Sequence, residues 1–421
     1  MGFIIPAGTL DVFGLRMIRR KRVMEILERV YQSYGFEPLS TPTIEYAEVF
    51  KGHHGEGEKI FFRFQDKEDN QLVLRYDLTV PLARFISMHP EIILPYKRYQ
   101  FASSFRDDNV DHGHFREFTQ CDGDIIGDGS LLADVEIVNI AFSGLKSLQF
   151  PEFVIRLNHR QLIRGIAEYA CGPNYDILLI QRALDFADKT LKSGLGGIKR
   201  DLLERGLSEE AVGKLVELLE IEGDSDTVLL KLRELLGNFP AAVKGIDELT
   251  QIVSYLDDEV RAVVKIDLTL ARGADYYSGF ILEGVIPGLQ VGAVLGGGRY
   301  DNLVAALGDK SAPATGMAFG LDRILTAMDD LGIGSNDSME IVLIATDAEP
   351  SCETLDFAKR IRSSGFNVNL KTNCSSLMEA TIYAQNRNYP VLLYDTKGSG
   401  LSAKVLVHSE FVENFLEQWF K

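Results

Sequence analysis

Residues 101–127 read FASSFRDDNVDHGHFREFTQCDGDIIG, and this stretch limits what the chain can fold into more than any other. A β-prone approach at 96–105 leads to a polar loop at 107–113 that contains Asn109 and Gly113. A run of mixed apolar and polar residues follows at 115–126. This is the pattern of a long antiparallel hairpin. Arg106 closes the first strand, Arg116 sits early in the second, and His114 stands two positions before it. Gln120, Asp122 and Asp124 recur at period two, so their side chains leave one face of the sheet. Two readings are open. The hairpin is either charged and exposed, or a site for a ligand carrying phosphate and amine together. Arginine matches phosphate bidentately, and acidic or amide groups hold a cationic end.

The stretch resembles motif 2 of the class II aminoacyl-tRNA synthetases, in which Phe-Arg-x-acid is followed by a loop, His or Arg, three residues and Phe. Here those positions are Phe105, Arg106, Asp107 and Asp108, then His114 and Phe118.

At 421 residues the chain has room for two or three domains, and 46% hydrophobic residues predict a globular protein with a sizeable core. It has no apolar run near the roughly 18 residues of a membrane span and no charged-then-apolar start, so neither a span nor a secretory signal is expected. Cys121, Cys171, Cys352 and Cys374 form no CxxC pair. A metal cluster and a disulfide framework both lack support, and a reducing cytoplasm fits. The net charge of −17 argues against generic nucleic-acid coating but leaves room for local, shape-specific docking.

Upstream, residues 10–34 place Leu15, Ile18, Val23, Ile26, Leu27 and Val30 at helical spacing, and Gly35 stops the pattern. The next strand is interrupted by Pro38 and Pro42, which suits an edge or an interface. A hairpin is predicted over 59–64 and 71–74. In LRYDLTVPLARF, residues 74–85, Asp77 and Thr79 stand where an apolar strand breaks, ahead of a helix expected to start at Pro81. Either could simply cap that helix.

From 150 to 261 the character turns helical, with amphipathic segments at 159–170, 175–192, 197–205, 208–221, 225–237 and 240–256. β character returns at 263–286, where Arg272, Asp275 and Tyr277 lie in a glycine-flanked bend. That arginine needs a partner, either a substrate phosphate or a structural carboxylate. The glycine run GGGRYD, 296–301, could form a phosphate loop, although it lacks the Lys-Ser/Thr of a P-loop. GMAFGLDRIL, 316–325, reads as a strand-to-helix junction whose Arg323 could merely snorkel. Residues 332–337 thin into a linker, and strand and helix alternate from there to the end as a small α/β unit.

Several of these segments resemble the histidyl-tRNA synthetases in particular. The proline-broken strand looks like motif 1, which in class II enzymes lies at the dimer interface. LRYDLTVPLARF resembles a segment of the eukaryotic and archaeal style of the family. ARGADYYSG is similar to the family's histidine-specific peptide RGLDYYTG, with Ala for Leu and Ser for Thr. GGGRYD, with Tyr300, resembles the second such peptide, GMAFGLDRIL resembles motif 3, and the last unit resembles the anticodon-binding domain.

The resemblance implies an α+β fold, a class II synthetase-like antiparallel sheet with flanking helices. Its catalytic core would span 1–155 and 261–335, with a helical insertion at 156–260 and a C-terminal α/β anticodon-binding-like domain at 338–421. It implies a cytoplasmic homodimer, free of membranes, that activates histidine with ATP to histidyl-adenylate and transfers it to tRNA. Mg2+ would accompany the ATP, and the protein itself would hold no metal. Arg106 and Arg272 would be catalytic. Asp77, Thr79 and Gln120 would bind the histidine ammonium, and Asp124 and Tyr277 the ring, with Tyr300 nearby. Arg106, Asp108, His114, Phe118 and Arg323 would bind ATP.

A paralogue of the family, the histidine-sensing regulatory subunit of ATP phosphoribosyltransferase, often lacks the arginine of the RGLDYY peptide and an intact anticodon domain. Arg272 and both histidine peptides favour the enzyme here. Three features depart from the family pattern: Asp124 stands where Glu is common, and His114 where Arg is usual. The motif 2 loop is also acidic, through Asp107, Asp108 and Asp111.

Overall fold

The hairpin forms where its pattern places it. The computed structural model describes residues 3–52, 59–190, 195–271, 276–308, 311–334, 338–396 and 400–420. Numbered in chain order, the first strands are β1 Glu37–Pro38, β2 Ile44–Tyr46, β3 Arg63–Gln65, β4 Gln71–Leu74, β5 Tyr96–Phe105 and β6 Glu117–Ile126. β5 and β6 pair antiparallel from Tyr96 opposite Ile126 to Phe105 opposite Glu117. By internal packing the chain divides into two units, Met1–Leu10 with Val23–Ile333, and Asp11–Arg22 with Gly334–Lys421.

In the first unit β7 Val154–His159, β8 Val264–Ile266, β9 Phe280–Val285, β10 Ala293–Arg299 and β11 Ala314–Gly320 complete a sheet of order β1-β5-β6-β11-β10-β9-β7-β8. The interior pairs are antiparallel, as expected. The two edge pairs, β1 with β5 and β7 with β8, are parallel, flanking the antiparallel interior. Parallel neighbours need long crossovers, and both pairs have them. The small sheet β2-β4-β3 and the helix Thr79–Met88 separate β1 from β5. Among the described residues seven helices, from Arg160–Cys171 to Asp258–Val263, separate β7 from β8. Pro38 lies in the edge strand, where a missing N–H costs no interior ladder bond. The inter-strand helices carry their own caps: the side chains of Ser208, Asp224 and Asp257 each accept a first-turn N–H.

Behind the hairpin runs the helix Gly14–Ser33, whose Val23, Leu27 and Tyr31 are buried. The Tyr31 hydroxyl donates to the Cys121 carbonyl at 2.9 Å. A Cβ on Gly123 would lie 2.0 Å from the Tyr31 ring, so only glycine lets this helix pack so close to β6.

The second unit has β12 Ile341–Thr346, β13 Asn367–Lys371, β14 Val391–Thr396 and β15 Gly400–Val405, in the order β13-β12-β14-β15. Val342, Ile344, Val391 and Leu393 face one core with the helices Cys352–Ser363 and Glu410–Trp419. Leu343, Ala345 and Leu392 face the other with Leu377–Asn386. Burial on both faces is why β12 reads as an unbroken apolar run.

GGGRYD is not a phosphate loop. Its glycines and Arg299 lie inside β10, and Arg299 is fully engaged inward. Its Nε donates to both Asp134 carboxylate oxygens (3.1 and 2.9 Å), Nη1 to Asp301 (3.1 Å) and Nη2 to the Ser130 carbonyl (2.9 Å). Asp134 is completely buried. Arg299→Ala would strand that carboxylate, so it should cost about 3–5 kcal/mol of unfolding free energy in urea titration. A loss under 1 kcal/mol would show that the pair does not matter to the fold.

Candidate active site

A cavity of about 550 Å³ lies over the inward face of β6. The sequence-derived candidates that the structure describes all line it. Asp77, Thr79, Gln120, Asp124, Tyr277 and Tyr300 are there, and so are Arg106, Asp108, His114, Phe118 and Arg323. Arg272 and Asp275 lie outside the described residues. Gln120, Asp122 and Asp124 reach the cavity together because they alternate on one strand. Arg106 follows β5 directly, and its N–H donates to the Arg116 carbonyl at 2.9 Å. The loop beyond is closed by paired backbone bonds between Asp111 and His114. Arg323 rises from the helix Leu321–Leu331 and donates to the Ala293 carbonyl at 2.9 Å. The same helix is tied to β6, since Asp322 accepts from the Thr119 N–H at 2.7 Å.

Asp77 caps the helix that follows it and also stands on the cavity wall. Its Oδ1 accepts from the Val80 N–H at 3.0 Å, a capping bond, and its Oδ2 receives the Tyr276 hydroxyl at 3.5 Å on the cavity wall. The helix begins at Thr79, not at Pro81, so Thr79 belongs to its first turn.

Asp124 is held from two sides. The Tyr300 hydroxyl donates to its Oδ1 at 2.5 Å, and Arg98 Nη2 lies 2.7 Å from its Oδ2. A Cβ on Gly316 would sit 2.0 Å from Asp124 Oδ1, so glycine in β11 makes room for this carboxylate. Burial raises the Asp124 carboxyl, with Arg98 and Tyr300 pulling the other way, and burial likewise pushes the Tyr277 hydroxyl up.

At the other end, Arg106 stacks over the Tyr76 ring, 4.1 Å from its centroid, and the Phe118 ring, at 4.9 Å. Its Nε is buried and makes no hydrogen bond among the described residues, which leaves a charged donor for a ligand. Asp108 turns inward on the loop, its Oδ1 accepting from the Asn109 N–H at 2.8 Å.

Tyr76, Tyr276 and Arg98 were not named from the sequence as site residues, and Asp122, named with its neighbours on the β6 face, was given no role there. Asp122 shares the period-two signal of its neighbours. Tyr76 and Tyr276 adjoin Asp77 and Tyr277 in sequence. Arg98 gave no signal, because a lone arginine in a strand reads as solvent-facing.

The surroundings of His114 work against a cationic imidazole. Burial, and then the Arg323 charge, hold its imidazole below the ordinary histidine value, with Asp108 partly opposing them. The shift favours the neutral imidazole, which offers a hydrogen bond rather than a charge. With the folded value depressed, the unfolded chain takes up the proton first. The contribution to stability is therefore present above pH ~6.5 and is lost as pH falls through the folded value. NMR titration should place the His114 midpoint below that of free histidine, and His114→Gln should lessen the acid loss of stability. A midpoint at or above 6.5 would contradict this account.

Residues 8–324 match the family profile described as histidyl-tRNA synthetase. The chain is 37% identical over 395 residues to a histidine–tRNA ligase of Aeropyrum pernix, covering 92% of this chain and 89% of that one. It is 36% identical over 373 residues to a histidine–tRNA ligase of Korarchaeum cryptofilum, covering 87% and 85%. Among solved structures, a histidyl-tRNA synthetase from Nostoc superposes with a TM-score of 0.80 at 24% identity, over 99% of both chains. A Bacillus halodurans chain described as an ATP phosphoribosyltransferase regulatory subunit/histidyl-tRNA synthetase has a TM-score of 0.76 at 24% identity, over 94% and 98%. These two likenesses show the fold, and the Aeropyrum and Korarchaeum relatives are both named histidine–tRNA ligases. The chain belongs to the histidyl-tRNA synthetase family.

Proposed function

We propose that this protein is a histidine–tRNA ligase. The observation that carries the reading is the polarity of one cavity, with acids and an amide at one end and Arg106 and Arg323 at the other. A histidine zwitterion fits it in one direction. Its ammonium would go to Asp77, Thr79 and Gln120, and its ring to Asp124 and Tyr277, with Tyr300 fixing Asp124. Imidazole presents one donor and one acceptor, and a site built to satisfy both rejects apolar isosteres.

The histidine carboxylate would then attack the α-phosphorus of ATP, expelling pyrophosphate and leaving histidyl-adenylate. A terminal hydroxyl of tRNA would next take the histidyl group, releasing AMP. Such transfers need positioning and charge stabilisation more than covalent help. Arg106 would hold the carboxylate and α-phosphate together, and Arg272 would face the same phosphate. Arg323, His114, Asp108 and Phe118 would hold the rest of the nucleotide. Mg2+ would arrive with the triphosphate and offset its charge, and the cavity offers a carboxylate of the hard-oxygen class it takes in Glu283. A homodimer, with motif 1 at the interface, and a cytoplasmic location belong to the same proposal.

The test is histidine-dependent ATP–pyrophosphate exchange, followed by tRNA charging. Arg106→Ala should cut exchange by roughly 10²–10³-fold, and Arg106→Lys should rescue little, because a point charge replaces neither the planar fork nor the stacking. Arg272→Ala should leave histidine affinity within a few-fold while slowing adenylate formation about 10²-fold. Absence of exchange in the unmutated protein, together with activation of a phosphoribosyltransferase partner, would replace the ligase reading with the regulatory one.

A further inference from the structure

Asp122 is 2% exposed, lines the cavity, and has an Oδ1 with no hydrogen-bond partner among the described residues. Buried carboxylate oxygens are nearly always satisfied, so one left open on a ligand cavity needs an explanation. Its surroundings deepen the need. Arg98, on β5 and fully buried, is the cation beneath it. Arg98 Nη2 lies 2.7 Å from Asp124 Oδ2 and 4.0 Å from Asp122 Oδ2, and it also donates to the Leu78 carbonyl at 3.2 Å. One guanidinium nitrogen thus serves Asp124 closely and Asp122 only at the limit of an ion pair. Asp77, next to Leu78, adds a third carboxylate whose charge reaches both. The charges of Arg75 and Arg106 reach Asp122 through space. Burial, opposed by Arg98, holds the Asp122 carboxyl well above the usual range.

Resting on the histidine reading above, we propose that Asp122 is a substrate-binding carboxylate that takes an N–H of the histidine α-ammonium, with Arg98 positioning it. The α-ammonium is chosen over the ring for two reasons. Asp124 is already committed to Tyr300 and Arg98 at the ring end. Gln120 Oε1, the preceding inward position on β6, is likewise buried and unpartnered among the described residues. Two successive open acceptors on one strand face match a group with several N–H donors and a permanent charge. Asp122 would thus be a ligand of the substrate, and Arg98 a positioning residue that acts through Asp122 and Asp124.

The test compares the full-length protein with Asp122→Asn. Histidine binding is measured by calorimetry, the KM values for histidine and ATP by pyrophosphate exchange, and stability by thermal unfolding. The des-amino analogue 3-(imidazol-4-yl)propionate serves as a probe that keeps the ring and lacks the ammonium. The variant should weaken histidine about 10–100-fold, leave the ATP KM within about twofold, and bind the des-amino analogue as the unmutated protein does. Its melting temperature should not fall, because the amide keeps the shape and replaces a carboxyl whose charged form burial already disfavours; a purely structural Asp122 would lower it. Histidine affinity unchanged within about twofold, or an equal loss for histidine and the analogue, overturns the assignment. If Asp122→Asn is unstable, Asp122→Ser is read in the same way, and instability of both without a histidine-specific loss also overturns it. An unmutated protein that fails to bind histidine at all instead overturns the ligase reading.

Discussion

The pairing register of β6 is the constraint on which the site depends. Side chains alternate along a strand, so a slip of one residue would swing Gln120, Asp122 and Asp124 out of the cavity, onto the face where Tyr31 packs. The register is pinned from both sides. β5 lies against β6 along its full length, and β11 pairs it from Gln120 opposite Gly320 to Ile126 opposite Ala314. Two glycines act as keys on the opposite faces of these strands. Gly123 admits the Tyr31 ring and Gly316 admits the Asp124 carboxylate, and a Cβ at either would come within 2.0 Å of what it admits. A shifted pairing would put larger residues at both places.

Buried charge is treated in two ways within the same unit. Around Arg299 the guanidinium nitrogens find carboxylate or carbonyl oxygens, and the cluster faces no cavity partner. Around Arg98 the arrangement is left short: Nε and Nη1 of Arg98 and Oδ1 of Asp122 are unpartnered among the described residues. Unsatisfied buried groups destabilise a fold, so their concentration on one cavity marks a place where stability is given up for recognition. The apolar core behind the hairpin, built on Val23, Leu27, Tyr31 and Ile125, is what lets the unit tolerate that shortfall.

Much of this was legible in the sequence because it rests on short-range rules. The hairpin, the helical run between β7 and β8, and the alternating final unit follow from periodicity and turn residues, and their bounds agree with the expected ones to within a few residues. The cavity candidates were legible because Arg106 to Phe118 and Gln120 to Asp124 lie close in sequence on one hairpin. What escaped is long-range. The parallel edges arise from crossovers that no local pattern reveals. The glycines of β10 look like a loop until their neighbours β9 and β11 are known to approach so closely. Arg98 resembles any exposed strand arginine until the opposing register places Asp124 across from it. The stacking of Arg106 on Tyr76 likewise joins two segments separated by a helix and a strand.

Arg98 lies on β5 and Arg106 directly follows it, at an even spacing, yet their charges serve opposite ends. The charge of Arg98 is spent on carboxylates beneath the floor, where no solvent reaches it. Arg106 is steadied by aromatic faces instead, which fix the plane of its guanidinium without neutralising it. The hairpin therefore carries its own field, negative toward Asp122 and Asp124 and positive toward Arg106. An amino-acid zwitterion entering such a field has one favourable direction, ammonium inward along β6 and carboxylate toward the arginine. In that direction the carboxylate oxygen points at the end of the cavity where Arg106, His114 and Arg323 gather, and that is where an electrophilic phosphate must sit for the two to react. On the proposed ligase reading, the polarity of one β-hairpin would set both which substrate is held and which of its atoms is offered for chemistry.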